Sequence, residues 1–148
     1  MPKKVLSGSA QAAPNQAASV EPSSAHASVH AGSHTAAPVT RDNAEHYRWG
    51  VDCDGWHLVK DKQLSVIEEL MPPGAAELRH HHDRSQQFFY ILTGEVLMEI
   101  NGENMLIPAG SGVRILPGTR HQIRNPSSSP VRFLVVSQPP SHGDRIDD

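Results

Sequence analysis

The length, composition and charge of the chain exclude several classes of protein. Its 148 residues allow one domain of ordinary size, and a net charge of -3 gives no reason to expect nucleic acid or an anionic membrane surface as a partner. No stretch is long and apolar enough to span a membrane, and the first residues lack the apolar core of a secretory signal. Cys53 is the single cysteine, so no intrachain disulfide can form. We therefore expect a cytoplasmic protein whose partner is a small molecule.

Residues 1–45 are predicted to be a disordered, low-complexity extension. They consist largely of Ala, Ser, Pro, Gly, Gln and His and contain no aromatic residue, so they cannot bury enough apolar surface to offset the entropy of ordering. His26, His30 and His34 recur every four residues and would share one face of a helix, where they could bind a metal weakly. The Gly and Ser residues between them oppose a stable helix, so we interpret the spacing as a chance feature of the tail.

Residues 46–140 are predicted to form an all-β domain. Aromatic residues appear there, and short β-type segments alternate with turn signals. Asn101-Gly102 is the clearest hairpin turn, because a type I′ turn needs positive φ at both central residues. Many short antiparallel strands predict a sandwich or a barrel. The predicted strands are Trp56 to Lys60, Leu64 to Met71, Ala76 to His82, Gln87 to Leu92, Glu95 to Asn101, Glu103 to Ile107, Val113 to Leu116, His121 to Asn125 and Val131 to Ser137.

Two remaining features of the chain are interpreted as having no catalytic role. Residues 141–148, which include His142, are predicted to be a solvated C-terminal tail. Cys53 lies between two aspartates, which would raise the pKa of its thiol, so it is not expected to act as a nucleophile.

The residues that carry chemistry are His80, His82, Gln87 and His121. Successive side chains of a strand point to opposite faces, so His80 and His82 point the same way and His81 points the other way. After a short turn Gln87 begins the next strand and can lie beside this pair. His121 begins a later strand, just after a Pro-Gly turn.

The spacing of these residues resembles the first motif of the cupin superfamily, in particular small single-domain bacterial cupins. That motif reads Gly, five residues, His-x-His, three or four residues, Glu, six residues, Gly. The corresponding residues here are Gly74, His80, His82, Gln87 and Gly94. Every spacing matches, and the one departure is Gln87 where the family usually has Glu.

The second cupin motif is matched as well. It reads Gly, five residues, Pro-x-Gly, two residues, His, three residues, Asn, and Leu116 stands in place of its proline. The corresponding residues are Gly110, Leu116, Gly118, His121 and Asn125. The resemblance implies a double-stranded β-helix, also called a jelly-roll barrel, in which His80, His82, Gln87 and His121 hold one divalent metal ion.

The expected chemistry follows from this ligand set. Imidazoles suit Zn, Ni, Fe, Mn or Cu better than Mg or Ca, and four protein ligands leave a position open for water or a substrate. A neutral Gln in place of Glu leaves the ion its full charge, which favours Lewis-acid chemistry on a carbonyl or enol compound in an isomerase, lyase or cyclase. Two alternatives stay open: a metal-dependent dioxygenase, and a non-catalytic module that binds a small ligand. A homodimer is expected for a small cupin.

The sequence also sets expectations for the rest of the pocket. Alternation predicts an apolar interior and places Arg79 and Arg124 outside it, which argues against a phosphosugar substrate. The only candidate acid–base groups are Tyr90, which alternation also places outside, and His142. The residues predicted to face the interior are Phe89, Ile91, Val96, Met98, Ile100 and Ile123.

Overall fold

Alternating burial along short strands builds two facing sheets. The computed structural model describes residues 36–148, and within that range it contains eleven strands and no helix. The all-β class predicted from the sequence is therefore confirmed. The strands are β1 (Glu45–Trp49), β2 (Cys53–Lys60), β3 (Ser65–Met71), β4 (His80–His82), β5 (Gln86–Thr93), β6 (Glu95–Ile100), β7 (Glu103–Pro108), β8 (Gly112–Ile115), β9 (His121–Arg124), β10 (Val131–Gln138) and β11 (Arg145–Asp147).

The two sheets enclose one apolar core and form the double-stranded β-helix that the motifs imply. One sheet has six strands in the order β1-β2-β3-β10-β5-β8, and the other has five in the order β11-β4-β9-β6-β7. Along β10 every second residue is buried, so Val131 and Phe133 point inward, where they join Met98 and Ile123 of the opposite sheet in the core. Burial of each such side chain stabilises the fold by about 1.5–3 kcal/mol.

The β6–β7 hairpin turns as the sequence predicts. Asn101 has φ of 50° and Gly102 has φ of 94°, so both central residues adopt the left-handed conformation of a type I′ turn. Ile100 and Glu103 are register partners on either side of it.

Two strands were not predicted, and one is shorter than predicted. β1 and β11 lie outside the predicted strands, and β4 covers only the last three residues of the segment predicted to begin at Ala76. The C-terminal segment is exposed to solvent but is an ordered strand and not a plain tail: β11 pairs antiparallel with β4, and the buried carboxylate of Asp144 accepts the backbone N–H of Ser85 at 2.8 Å. Backbone pairing and ion pairs stabilise this polar strand, so it lacks the apolar alternation that identifies strands in a sequence.

The N-terminal predictions fall almost wholly outside the described range. Residues 1–35, with His26, His30 and His34, lie outside it, and the domain boundary near residue 45 stays a prediction. In the part of the chain that the structure describes, no helix exists that could cross a membrane.

Candidate metal centre

Two adjacent strands bring three histidines together, as the motif predicts. His80 and His82 lie on the buried face of β4, and His80 is the register partner of His121 on β9. One ring nitrogen from each of the three lies within 4.8 Å of the others. His81 points to the opposite face, where its Nδ1 lies 3.6 Å from a carboxylate oxygen of Asp148. The three histidines are thus positioned to bind one metal ion.

Hydrogen bonds and burial prepare these imidazoles as metal ligands. Nδ1 of His80 lies 2.9 Å from the backbone oxygen of Leu78, and Nδ1 of His121 lies 2.9 Å from that of Thr119. A carbonyl only accepts, so each Nδ1 carries the hydrogen and each Nε2 keeps its lone pair. Burial lowers the pKa of His80, and it lowers the pKa values of His82 and His121 to about 4. The rings are therefore neutral at pH 7 and able to bind a cation.

Two further observations fit a metal ion at this position. His82 is buried, yet neither of its ring nitrogens has a hydrogen-bond partner within the described residues, a condition that costs about 1–3 kcal/mol unless another group binds the nitrogen. Gln87 places Oε1 3.1 Å from Nε2 of His121, while its amide nitrogen donates to Ser137 Oγ at 3.3 Å. Two lone pairs thus face each other, and a cation satisfies both. Gln87 as the fourth ligand stays a prediction.

Two of the three histidines, His80 and His82, line a cavity of about 240 Å³, and His121 is buried behind them. Of the predicted apolar lining, Phe89 does face the cavity, whereas Ile91, Val96, Met98 and Ile123 lie in the core. The cavity is more polar than predicted, because the N-terminal and C-terminal strands contribute to it. Its lining residues are Tyr47, Trp49, Ile67, Glu69, Glu77, His80, His82, Gln87, Phe89, Val135, Ser141, His142, Gly143 and Arg145.

A tyrosine and a glutamate from the six-stranded sheet form an acidic pair in this cavity. The hydroxyl of Tyr47 on β1 donates to Oε1 of Glu69 on β3 at 2.8 Å. Burial, and then the nearby carboxylate of Glu77, raise the pKa of Glu69 to about 8, and burial also raises the pKa of Tyr47. Neither group was predicted from the sequence. The available signal was a glutamate in phase with Ile67 and Met71 along a predicted strand.

A second acidic residue lies between the histidines and the C-terminal strand. Glu77 places Oε1 3.8 Å from Nε2 of His80 and accepts from Nη1 of Arg145 at 2.7 Å. Arg145 lies on β11, so the predicted solvated tail in fact supplies a cation to the cavity. Arg79 lies outside, as predicted, and its guanidinium pairs with Glu99 at 2.9 Å.

Three other side chains were considered as possible catalytic groups: Tyr90, His142 and Cys53. Tyr90 is exposed on the outer face of β5, as predicted, whereas His142 lines the cavity. Cys53 is fully buried, and burial together with Glu69 raises the pKa of its thiol to about 11. A thiol with that pKa stays protonated at neutral pH, which agrees with the prediction that it is not a nucleophile.

Fold and site together define a β-barrel in which three clustered histidines are positioned to bind a metal ion. The profile of the family described as "Cupin domain" matches residues 67–137. An uncharacterized protein from Methanocaldococcus jannaschii is 35% identical over 89 residues, covering 60% of this chain and 71% of that protein. The chain belongs to the cupin superfamily.

Other relatives are more distant or are matched over less of their length. An oxalate-binding protein from Thermotoga maritima is 33% identical over 66 residues, covering 45% of this chain and 54% of the relative, so the chain spans about half of that protein. The solved structure of the polyketide cyclase RemF from Streptomyces resistomycificus superposes with a TM-score of 0.66 at 17% identity, covering 76% of this chain and 84% of that one. At that identity the likeness shows a shared fold.

Proposed function

We propose that this protein is a metal-dependent enzyme that acts on a small carbonyl or enol compound as an isomerase, lyase or cyclase. A divalent ion would be held by His80, His82, Gln87 and His121. The observation that carries the proposal is one cavity of about 240 Å³ whose wall combines two of the three converging imidazoles, those of His80 and His82, with a carboxyl group of raised pKa. Such a combination of ligands and perturbed acids is typical of a catalytic site.

The donor set supports a Lewis-acid role. All four proposed ligands are neutral, so a bound Zn, Ni, Fe, Mn or Cu ion would polarise a carbonyl oxygen with its full charge. Arg145 is neutralised by Glu77 at 2.7 Å and by Asp147 at 2.6 Å. It is therefore a weak site for a phosphate group, which supports a substrate without a phosphate.

A second candidate function is the binding of a small dicarboxylate without turnover. The Thermotoga maritima relative, which is 33% identical to this chain, is an oxalate-binding protein. A chelating dianion would compensate the charge that neutral ligands leave on a divalent ion. The same cavity therefore supports storage or sensing of such a ligand.

Metal-dependent turnover separates these functions. Full-length protein reconstituted with each candidate metal is incubated with 2-oxo acids, hydroxyketones and oxalate, and products are followed by ¹H NMR. We expect conversion that is lost in EDTA and in His82→Ala, and retained in His81→Ala, whose side chain points away from the site. Saturable oxalate binding without any product favours the binding module. Oxygen consumption by the iron-loaded protein favours a dioxygenase.

We also propose that two copies pair in the cytoplasm through the outer face of the six-stranded sheet. Phe88 and Tyr90 stack there with ring centroids 6.3 Å apart, and both are exposed. Analytical ultracentrifugation of wild type and Phe88→Glu tests this pairing: the proposal requires a dimer that the substitution dissociates.

A further inference from the structure

One row of residues crosses three neighbouring strands at the cavity wall. Tyr47 on β1 is the register partner of Gly55 on β2, and Gly55 is the register partner of Glu69 on β3. Register partners project to the same face of a sheet. Because the central residue has no side chain, the hydroxyl of Tyr47 passes over β2 and donates to Glu69 Oε1 at 2.8 Å.

The glycine in this row is required by the position of the tyrosine ring. A Cβ at position 55 would lie 2.3 Å from Cζ and 2.6 Å from Oη of Tyr47. Both distances are far inside van der Waals contact, so any side chain at Gly55 would displace the ring. Three strands must therefore each supply a particular residue for the Tyr47–Glu69 contact to form.

The carboxyl group at the end of the row has no ionic partner. Within the described residues Glu69 forms no ion pair, and its side chain hydrogen-bonds to Tyr47. The neighbouring Glu68 points to the outer face of β3 and pairs with Arg132 at 2.6 Å. A carboxyl group held in a cavity without a cation is costly, and in structures such groups cluster at functional sites.

We propose that Glu69 is the catalytic residue that takes up and returns the substrate proton, and that Tyr47 positions it. This inference rests on the proposed function. In the step, the C–H bond next to the substrate carbonyl breaks and its proton goes to a carboxylate oxygen of Glu69. The electron pair of that bond forms a carbon–carbon double bond, and the carbonyl oxygen takes the negative charge. Glu69 then returns the proton to a carbon or oxygen atom, so no oxidant or reductant is needed.

The surroundings of Glu69 agree with this role. Its pKa of about 8 keeps both protonation states accessible near neutral pH, as an acid–base catalyst requires. The titratable and charged groups that act on it are Tyr47, Cys53, Glu77 and Arg145. Burial is the largest cause of the raised pKa of Glu69. This pKa therefore depends on the apolar side chains, such as Trp49 and Ile67, that line the same cavity.

Deuterium exchange in a small probe tests the inference. The full-length, metal-loaded protein is incubated in D₂O with pyruvate or dihydroxyacetone, and loss of the C–H signal is followed by ¹H NMR. We expect Glu69→Gln to slow the exchange at least about 100-fold, with its metal content and circular dichroism unchanged. Glu68→Gln is the matched control and should exchange like wild type.

The variant Tyr47→Phe separates a positioning role from a structural one. The Tyr47 hydroxyl stabilises the ionised carboxylate, so its removal should move the inflection of the rate against pH upward, whereas a purely structural loss would lower the rate without moving it. Wild-type exchange in Glu69→Gln, with exchange abolished in His82→Ala, would overturn this inference and leave the proposed function standing. Exchange by wild type no faster than by the free metal ion would overturn both.

Discussion

The two walls of the cavity differ in how their chemistry is specified. The five-stranded sheet supplies three histidines from β4 and β9, and each lies within a short motif of fixed spacing. The six-stranded sheet supplies Tyr47 and Glu69 from β1 and β3, where no motif marks them. Gln87 belongs to the six-stranded sheet and reaches His121 of the other at 3.1 Å, so it joins the two walls.

This difference decides which of these groups can be recognised in the amino-acid sequence. The histidine cluster depends on alternation along one strand and on one neighbouring strand, so its spacing is visible in the sequence. The Tyr47–Glu69 contact depends on the register of three strands, which is set by the whole sheet.

The largest effect on stability is expected at the wall that contains Tyr47 and Glu69. Gly55→Ala places a methyl group 2.3 Å from the Tyr47 ring, and such overpacking should lower the free energy of unfolding by about 3 kcal/mol. Urea denaturation measures this loss. In a Tyr47→Ala background the same substitution should cost less than about 1 kcal/mol, because the clash is gone. An equal cost in both backgrounds would contradict the proposed packing.

The C-terminal segment around β11, which lines the cavity, should contribute almost as much to the free energy of unfolding. Asp144→Ala removes the acceptor of the backbone N–H groups of Arg84 at 2.9 Å and Ser85 at 2.8 Å. We expect a loss of about 2 kcal/mol in the free energy of unfolding. The control Asp147→Ala, at an exposed ion pair, should cost less than about 1 kcal/mol. Similar values for the two variants would restore the interpretation of a solvated tail.

The pH dependence of stability tests the state of Glu69. Its folded pKa of about 8 lies above the usual value of 4.5, so between these two values the folded state binds more protons than the unfolded state. Glu69 by itself should therefore lower the stability of the metal-free protein as pH rises through this window, by at most about 1.4 kcal/mol per pH unit, whereas the buried histidines, whose pKa values are lowered from 6.5, act in the opposite direction at acid pH. Glu69→Gln should remove only the contribution of Glu69, so the stability of the variant relative to wild type should rise with pH in thermal denaturation between pH 5 and 8. A difference between the two proteins that does not change with pH would show that the carboxyl group is ionised throughout.

The smallest effect is expected at Gln87, the residue that joins the two walls, and it concerns the affinity for metal. Gln87→Glu adds a negative charge beside His121 and should tighten metal binding by about tenfold, or about 1.4 kcal/mol. Competition with a coloured chelator measures the affinity. Gln86→Glu is the matched control, because Gln86 is the adjacent residue and its side chain points away, toward Arg114 and Gln138. Equal affinities for the two variants would exclude Gln87 from the metal centre.

Much of the fold and half of the site could be predicted from the sequence. Strands with apolar alternation and the Asn101-Gly102 hairpin were found, because their stability is local and patterned. β1 and β11 were missed, since their burial patterns are largely exposed and their stability comes from pairing with β2 and β4. Arg145 and Tyr47 were missed with them, because a residue can be assigned to a cavity only after its strand has been found.

The proposal that His80, His82 and His121 hold one divalent ion is tested most directly by the metal content of the protein. Full-length, untagged wild type, His82→Ala and His81→Ala are analysed by inductively coupled plasma mass spectrometry after purification and after reconstitution. We expect about one ion per chain in wild type and in His81→Ala, and less than about a tenth of that in His82→Ala. Equal metal in wild type and His82→Ala, or no uptake by wild type on reconstitution, would contradict it.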